Sequence, residues 1–175
     1  EPAARELIEV FPEGTVRDKR DAFDNRVRAY EVLGETTAIE IRNTLEIHVR
    51  ERNPFDFLLA PEAVDFPFRH NENDRRALAP FLAERIDHEL LEAAAPFCGP
   101  GGPTVDFLTG LNRSLHEAIA YMPRGEPGTQ APLETLRKGT GTCRDFALLF
   151  LELARALGLA ARHVTGYLLE TGDTG

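Results

Sequence analysis

Tryptophan is absent from this chain of 175 residues, and cysteine occurs only twice, at Cys98 and Cys143. Two cysteines are too few for a disulfide framework. A single bridge is the most they allow, and a reducing, cytoplasmic setting is the simpler expectation. Long apolar runs are also missing. None approaches the roughly 18 residues that a membrane helix needs. No signal-peptide pattern opens the chain, which starts at Glu1-Pro2 rather than Met, so that start reads as an artificial or processing boundary. Basic charge is in deficit: 20 Lys and Arg stand against 29 Asp and Glu, a formal net charge of -9. Nucleic acid and anionic membranes both require a basic footprint, so neither is expected as a partner. No motif requires a metal or a cofactor. His88-Glu89-Leu90-Leu91-Glu92 looks like half of a zincin motif, but the fourth residue after His88 is Glu92 rather than a second His.

The apolar share is 42%. That is enough for a folded core. The first part of the chain reads as β. Glu6 to Phe11 is a short apolar run stopped by Pro12-Glu13-Gly14, and Asp21 to Asn25 is a turn signal. Arg26 to Leu33 reads as a strand. The clearest strand runs from Ile39 to Val49, with Ile39, Ile41, Leu45, Ile47 and Val49 on one face, interrupted by Asn43. That alternation predicts one buried and one wet face, with His48 on the wet one. From Glu72 the pattern turns helical. Arg75 to Phe81 and Leu82 to Ala95 read as helices around Pro80. Pro96 to Pro103 reads as a linker, and Cys98 within it as an incidental thiol.

A further helix is predicted from Thr104 to Tyr121, with Thr104 as N-cap and Pro123 ending the pattern. Leu108, Leu111, Leu115, Ile119 and Met122 form its apolar face, and His116 falls on the solvated one. After a loop and a short helical turn from Pro132 to Lys138, Gly139-Thr140-Gly141-Thr142 leads into Cys143. The run from Cys143 to Leu157 reads as a buried helix, with Phe146, Leu149, Phe150, Leu153 and Leu157 on one face and Gly158 as its stop. A thiol in the first turn of a helix faces unpaired N–H groups and the positive dipole end. Both favour thiolate, the nucleophilic form, and the same N–H groups can hold an oxyanion. A free cysteine is equally at home as a small buried filler. Thr140 or Thr142 is the expected cap, with Asp145 near the dipole end if Thr142 fills that place. Gln130 and Tyr121 carry donors suited to an oxyanion or to lining a substrate.

The stretch Gly141-Thr142-Cys143-Arg144-Asp145-Phe146-Ala147, together with Arg155 to Tyr167, resembles the core motif of the bacterial transglutaminase-like cysteine peptidase family. Asn53-Pro54-Phe55-Asp56-Phe57 to Ala63 and the turn Asp21 to Val27 resemble the β-rich domain that precedes that core, although the family more often has Gly where Asp24 stands. The resemblance implies that Cys143 is the catalytic nucleophile. It also implies a catalytic His on the strand after the next one and an Asp later still. His163 lies one strand too early and is read as a structural or lining residue. The chain is therefore expected to be a fragment cut inside its catalytic domain, inert alone because thiol catalysis needs a base and an orienting partner. Residues 160–169 read as a strand whose exposed edge pairs with another copy or becomes disordered towards Gly175.

The fold class implied is α+β: an antiparallel β-sandwich-like domain over residues 1–70, a helical connector and linker over 71–103, and the front half of a papain-like, transglutaminase-like core over 104–175. The activity implied is thiol acyl transfer on amide or peptide bonds, hydrolytic by resemblance, on a protein or peptide substrate. Amine-resolved crosslinking and a non-catalytic interaction module are the alternatives. An arylamine acetyltransferase or papain-like peptidase is disfavoured, because neither carries the β-rich front domain.

Overall fold

The computed structural model describes residues 4–47, 53–123 and 125–166. The fold is α+β, and the chain divides into two compact units, residues 1–57 and 58–175.

The first unit is two antiparallel ladders. Strand β1 (Ala4–Phe11) pairs with β4 (Glu40–Ile47), from Ala4 opposite Ile47 to Phe11 opposite Glu40. Strand β2 (Gly14–Arg20) pairs with β3 (Arg26–Val32), from Gly14 opposite Val32 to Arg20 opposite Arg26. Directly opposed residues share a face, so β1 and β4 put Ile8, Val10, Ile41 and Leu45 together. The β2–β3 turn is tied by the Asp21 carboxylate, which accepts from the Phe23 and Asn25 N–H groups at 2.8 and 2.9 Å. Asp24 sits there with a positive φ of 64. That is a left-handed conformation, which glycine adopts without steric cost. Between the ladders, the Tyr30 hydroxyl donates to the Pro12 carbonyl at 3.0 Å.

Two expectations change here. Strand β2 has no counterpart in the sequence reading, because Gly-Thr-Val-Arg-Asp-Lys-Arg has almost no apolar content; its pairing with β3 makes it a strand. The apolar face of β4 is not buried. Ile39, Ile41, Leu45 and Ile47 remain 56%, 65%, 37% and 42% exposed. In the other ladder, the face that carries Val16 and Tyr30 also carries the charged pairs Asp18 with Arg28 and Arg20 with Arg26. His48, Val49 and the predicted chain-end strand from Tyr167 onward lie outside the described residues.

The second unit holds the core. Strand β5 (Asp65–Phe66) is followed by α1 (Glu72–Ala77), a 3-10 turn at Ala79–Phe81, and α2 (His88–Ala94). Residues 82–87 are not helical, contrary to the predicted continuous run. Asp87 instead opens a new helix, its carboxylate accepting from the Leu90 N–H at 2.9 Å. Such a side-chain cap meets one of the helix's orphan donors. Strand β6 (Gly102–Pro103) then pairs with β5. The Pro/Gly stretch is thus built into this unit rather than hanging free of it. A side chain at Gly101 would lie 2.6 Å from the Phe66 carbonyl oxygen. That pairing also draws residues 58–70 into the second unit, so the division falls before the 70/71 position suggested by the change in pattern.

Helix α3 spans Thr104–Ala118. Its cap position is Pro103, not Thr104. Thr104 is inside the helix and buried, with no partner for its hydroxyl among the described residues. The helix stops at Ala118 because β7 (Ala120–Tyr121) leaves to pair in parallel with β8 (Thr140–Gly141), which leaves Met122 exposed. Helices α4 (Pro132–Lys138) and α5 (Cys143–Ala156) follow. Leu90 and Ala94 of α2, Leu111 and Leu115 of α3, Ile119, and Leu149 and Leu153 of α5 form one buried cluster. Cys98 packs against it, and burial pushes its thiol up from the ordinary value. It is a packing residue rather than an incidental linker thiol.

Candidate active site around Cys143

The approach to Cys143 is set by a sequence of stops and starts. Gly139, with a positive φ of 64, ends α4. Its N–H returns to the Thr135 carbonyl at 3.0 Å. A left-handed glycine is a common way to close a helix. Thr140 and Gly141 then pair beside Ala120 and Tyr121, with the Ala120 N–H on the Gly139 carbonyl and the Met122 N–H on the Gly141 carbonyl, both at 2.9 Å. Thr142 follows in extended conformation as the cap of α5, and Cys143 is the first helical residue. Of the two threonines weighed as caps, Thr142 takes the role, with Asp145 completing a capping box.

The Cys143 side chain is exposed, and so is that of Arg144. Asp145 is the opposite case: its carboxylate is fully buried, at 0% exposure. Successive helical residues are about 100° apart, so Cys143 and Asp145 point about 200° apart, to opposite sides of the axis. The Gln130 N–H donates to Asp145 Oδ1 at 2.7 Å. The Thr142 N–H, the Thr142 hydroxyl and the Gln130 side-chain amide lie 2.8, 2.9 and 3.4 Å from Oδ2. Gly141 fits over this cluster because it has no side chain: a Cβ there would stand 3.0 Å from the Asp145 Cβ and 3.2 Å from the Thr135 Cγ2.

Gln130 therefore sits under the first turn of α5. Its amide nitrogen also donates to the Thr140 carbonyl at 3.0 Å, and its amide oxygen accepts from the Lys138 ammonium at 3.2 Å. Both ends of the amide are committed to holding the turn, a task different from the oxyanion contact expected from its donors. Tyr121 is 65% exposed and stands opposite Gly141 in the β7–β8 pair, two residues before the thiol.

His163 is exposed, in a stretch, residues 160–166, that carries no strand. The strand expected there has its backbone engaged elsewhere: the Ala161 N–H donates to the Phe81 carbonyl at 2.8 Å, and its own carbonyl accepts from Arg155 at 2.9 Å. His163 lines an open concavity with Asn112, His116, Phe146 and Phe150, so the lining part of the expectation matches its place. His116 is exposed, as its helix face predicts. The residue that sequence reasoning undervalues is Asp145. The signal is present in the spacing Thr142-x-x-Asp145, which is that of a capping box with Asp in the acidic place.

The segment that carries Cys143 matches a known family. Residues 92–174 match the family model of the transglutaminase-like superfamily. Uncharacterized proteins of Mycobacterium tuberculosis and Mycobacterium bovis are each 36% identical to this chain over 83 residues. That match covers 47% of this chain and 26% of each relative, so the aligned stretch is about a quarter of their length. Among solved structures, a Cytophaga hutchinsonii chain proposed to be a cysteine protease is similar at a TM-score of 0.57 and 17% identity, over 89% of this chain and 53% of that one.

Proposed function

From the match of residues 92–174 to the transglutaminase-like superfamily, we propose that Cys143 is the nucleophile of a thiol acyl-transfer enzyme. The observation that carries the reading is an exposed thiol on the first residue of α5, in the segment that the family model covers. Its sulfur attacks an amide carbonyl carbon, and the carbonyl π electrons move onto oxygen. The N–H groups at the helix start and the positive dipole end stand ready for that oxyanion. Collapse expels the amine, which takes up a proton, and leaves a thioester on Cys143. Water then releases the carboxylic acid and restores the thiol. Tyr121, exposed beside the approach to the thiol, is proposed to line the substrate path.

The substrate proposed is a protein or peptide, the compartment a bacterial cytoplasm, and the chemistry hydrolysis without metal or cofactor. Pairing of two copies through a sheet edge is retained as part of the proposal. Among the described residues no helix is long and apolar enough to cross a membrane. In the whole protein, Cys143→Ala is expected to abolish release of new amino termini from a mixed peptide substrate. Turnover unchanged by that substitution would end the nucleophile reading. Adding monodansylcadaverine separates hydrolysis from amine transfer: hydrolysis predicts free acid, crosslinking predicts a fluorescent amide.

A further inference from the structure

We propose that Asp145 is a positioning residue for acyl transfer, fixing the first turn of α5 from its buried side so that the Cys143 thiol and the N–H groups beside it hold one geometry. This deepens the nucleophile reading and rests on it.

A helix cap alone does not explain the arrangement. A capping box needs only Thr142 and Asp145. Burying a carboxylate is costly unless its lone pairs are met. Here Asp145 is fully buried, and only one of its oxygens serves the cap. The other takes the Gln130 N–H at 2.7 Å, from the loop that precedes α4. Gln130 extends the network to Thr140 in β8 and to Lys138 at the end of α4. One carboxylate thus joins the loop, the end of α4, the short strand and the nucleophile's turn. Gly141 closes over it with no room for a side chain. Cys143 projects the other way, so Asp145 does not touch the reacting atoms and acts through the backbone it holds.

Positioning makes a prediction that simple stabilisation does not. Alkylation of a thiol by iodoacetamide needs an accessible sulfur and no oxyanion site. Acylation by p-nitrophenyl acetate passes through a tetrahedral oxyanion and depends on where the turn's donors stand. In acylation the S–C bond forms, p-nitrophenolate leaves with the electron pair of its C–O bond, and an acetyl thioester remains.

The test uses the whole protein with Cys98→Ser, and peptide mass spectrometry follows the modification of Cys143 alone. Asp145→Asn keeps the shape but turns an amide N–H2 or a neutral oxygen towards donors that met a carboxylate. The expected result is acetylation of Cys143 slowed about tenfold or more, with carboxamidomethylation unchanged within about twofold. Equal loss of both rates, or no loss of acetylation in the folded variant, would overturn the proposal. If circular dichroism shows that Asp145→Asn does not fold, Thr142→Val and Thr142→Ser decide. The first removes the hydroxyl donor to Asp145, and the second restores it. The split must appear with Val and vanish with Ser; its absence with Val overturns the proposal. Failure of the underlying nucleophile reading has its own signature, a parent Cys143 that acetylates no faster than N-acetylcysteine.

Discussion

The two units use hydrogen bonds and apolar surface in opposite proportions. Among the described residues, residues 1–57 make the longest ladders, yet none of their described side chains is buried. Residues 58–175 make only two-residue strand pairs among the described residues, yet they hold the buried core. Regular backbone pairing and a core are therefore separate achievements. Alternation in sequence, as in Ile39 to Ile47, specifies the first. The second needs a facing apolar surface, which α2, α3 and α5 supply to one another. The candidate site sits in the unit with the core, where a buried helix can hold its first residue still.

The strongest way to break this contrast is to cut matched side chains from both units. Leu153 and Leu149 are fully buried. Leu153→Ala and Leu149→Ala are each expected to cost about 2–5 kcal/mol in urea unfolding of the second unit. Ile41 is 65% exposed. Ile41→Ala is expected to change stability by about 0.5 kcal/mol at most. Similar losses at Ile41 and Leu153 would mean that the first unit has a core of its own.

A smaller effect is expected at Gly141. Gly141→Ala forces a methyl group against Asp145 and Thr135. Overpacking of this kind costs about 1–3 kcal/mol. Thermal unfolding measures it, and a neutral result would show that the turn under Cys143 yields.

The thiols sharpen the comparison within the second unit. Burial raises the Cys98 thiol, so less of it is thiolate at a given pH. Near pH 8, Cys98 is expected to alkylate several-fold more slowly than N-acetylcysteine, as judged by mass spectrometry of peptides. Cys98 reacting at the free rate would contradict its packing against the core.

The smallest effect belongs to the first unit. The Arg28 guanidinium, bonded to Asp18 at 2.7 and 3.0 Å, holds that carboxyl below the usual value, and Arg26 adds to it. Because the folded value is depressed, the pair's contribution is present above the unfolded value, about 3.9. It is lost as pH falls through the folded value. Asp18→Asn should therefore weaken the first unit slightly at neutral pH and flatten its acid limb, as followed by urea unfolding across pH. Both residues are solvent-exposed, so the effect is modest and declines with salt.

What could be read in advance follows from where the physics is local. Turn chemistry at Asp21 to Asn25, the helical turn from Pro132 to Lys138, and the helix opened by Thr142 and Cys143 all depend on neighbours in sequence. The exposed face of β4 and the unexpected strand β2 depend on partners far along the chain. The same divide runs through the site. Cys143 is legible because a thiol, a cap and an apolar helix stand side by side. Gln130 stands out for its donors, but its commitment to Asp145 joins residues fifteen positions apart and needs the fold. The Pro/Gly stretch before Thr104 reads as a linker because composition does not reveal that Gly101 passes against Phe66.

The central claim is that Cys143 is the thiol that accepts acyl groups. The most direct measurement is to expose the whole protein briefly to p-nitrophenyl acetate at neutral pH, quench in acid, and locate the acetyl group by peptide mass spectrometry. The account predicts a thioester on Cys143, formed faster than on N-acetylcysteine and with Cys98 left free. Acetylation of Cys98 in preference to Cys143, or of Cys143 only at the rate of the free amino acid, would contradict it.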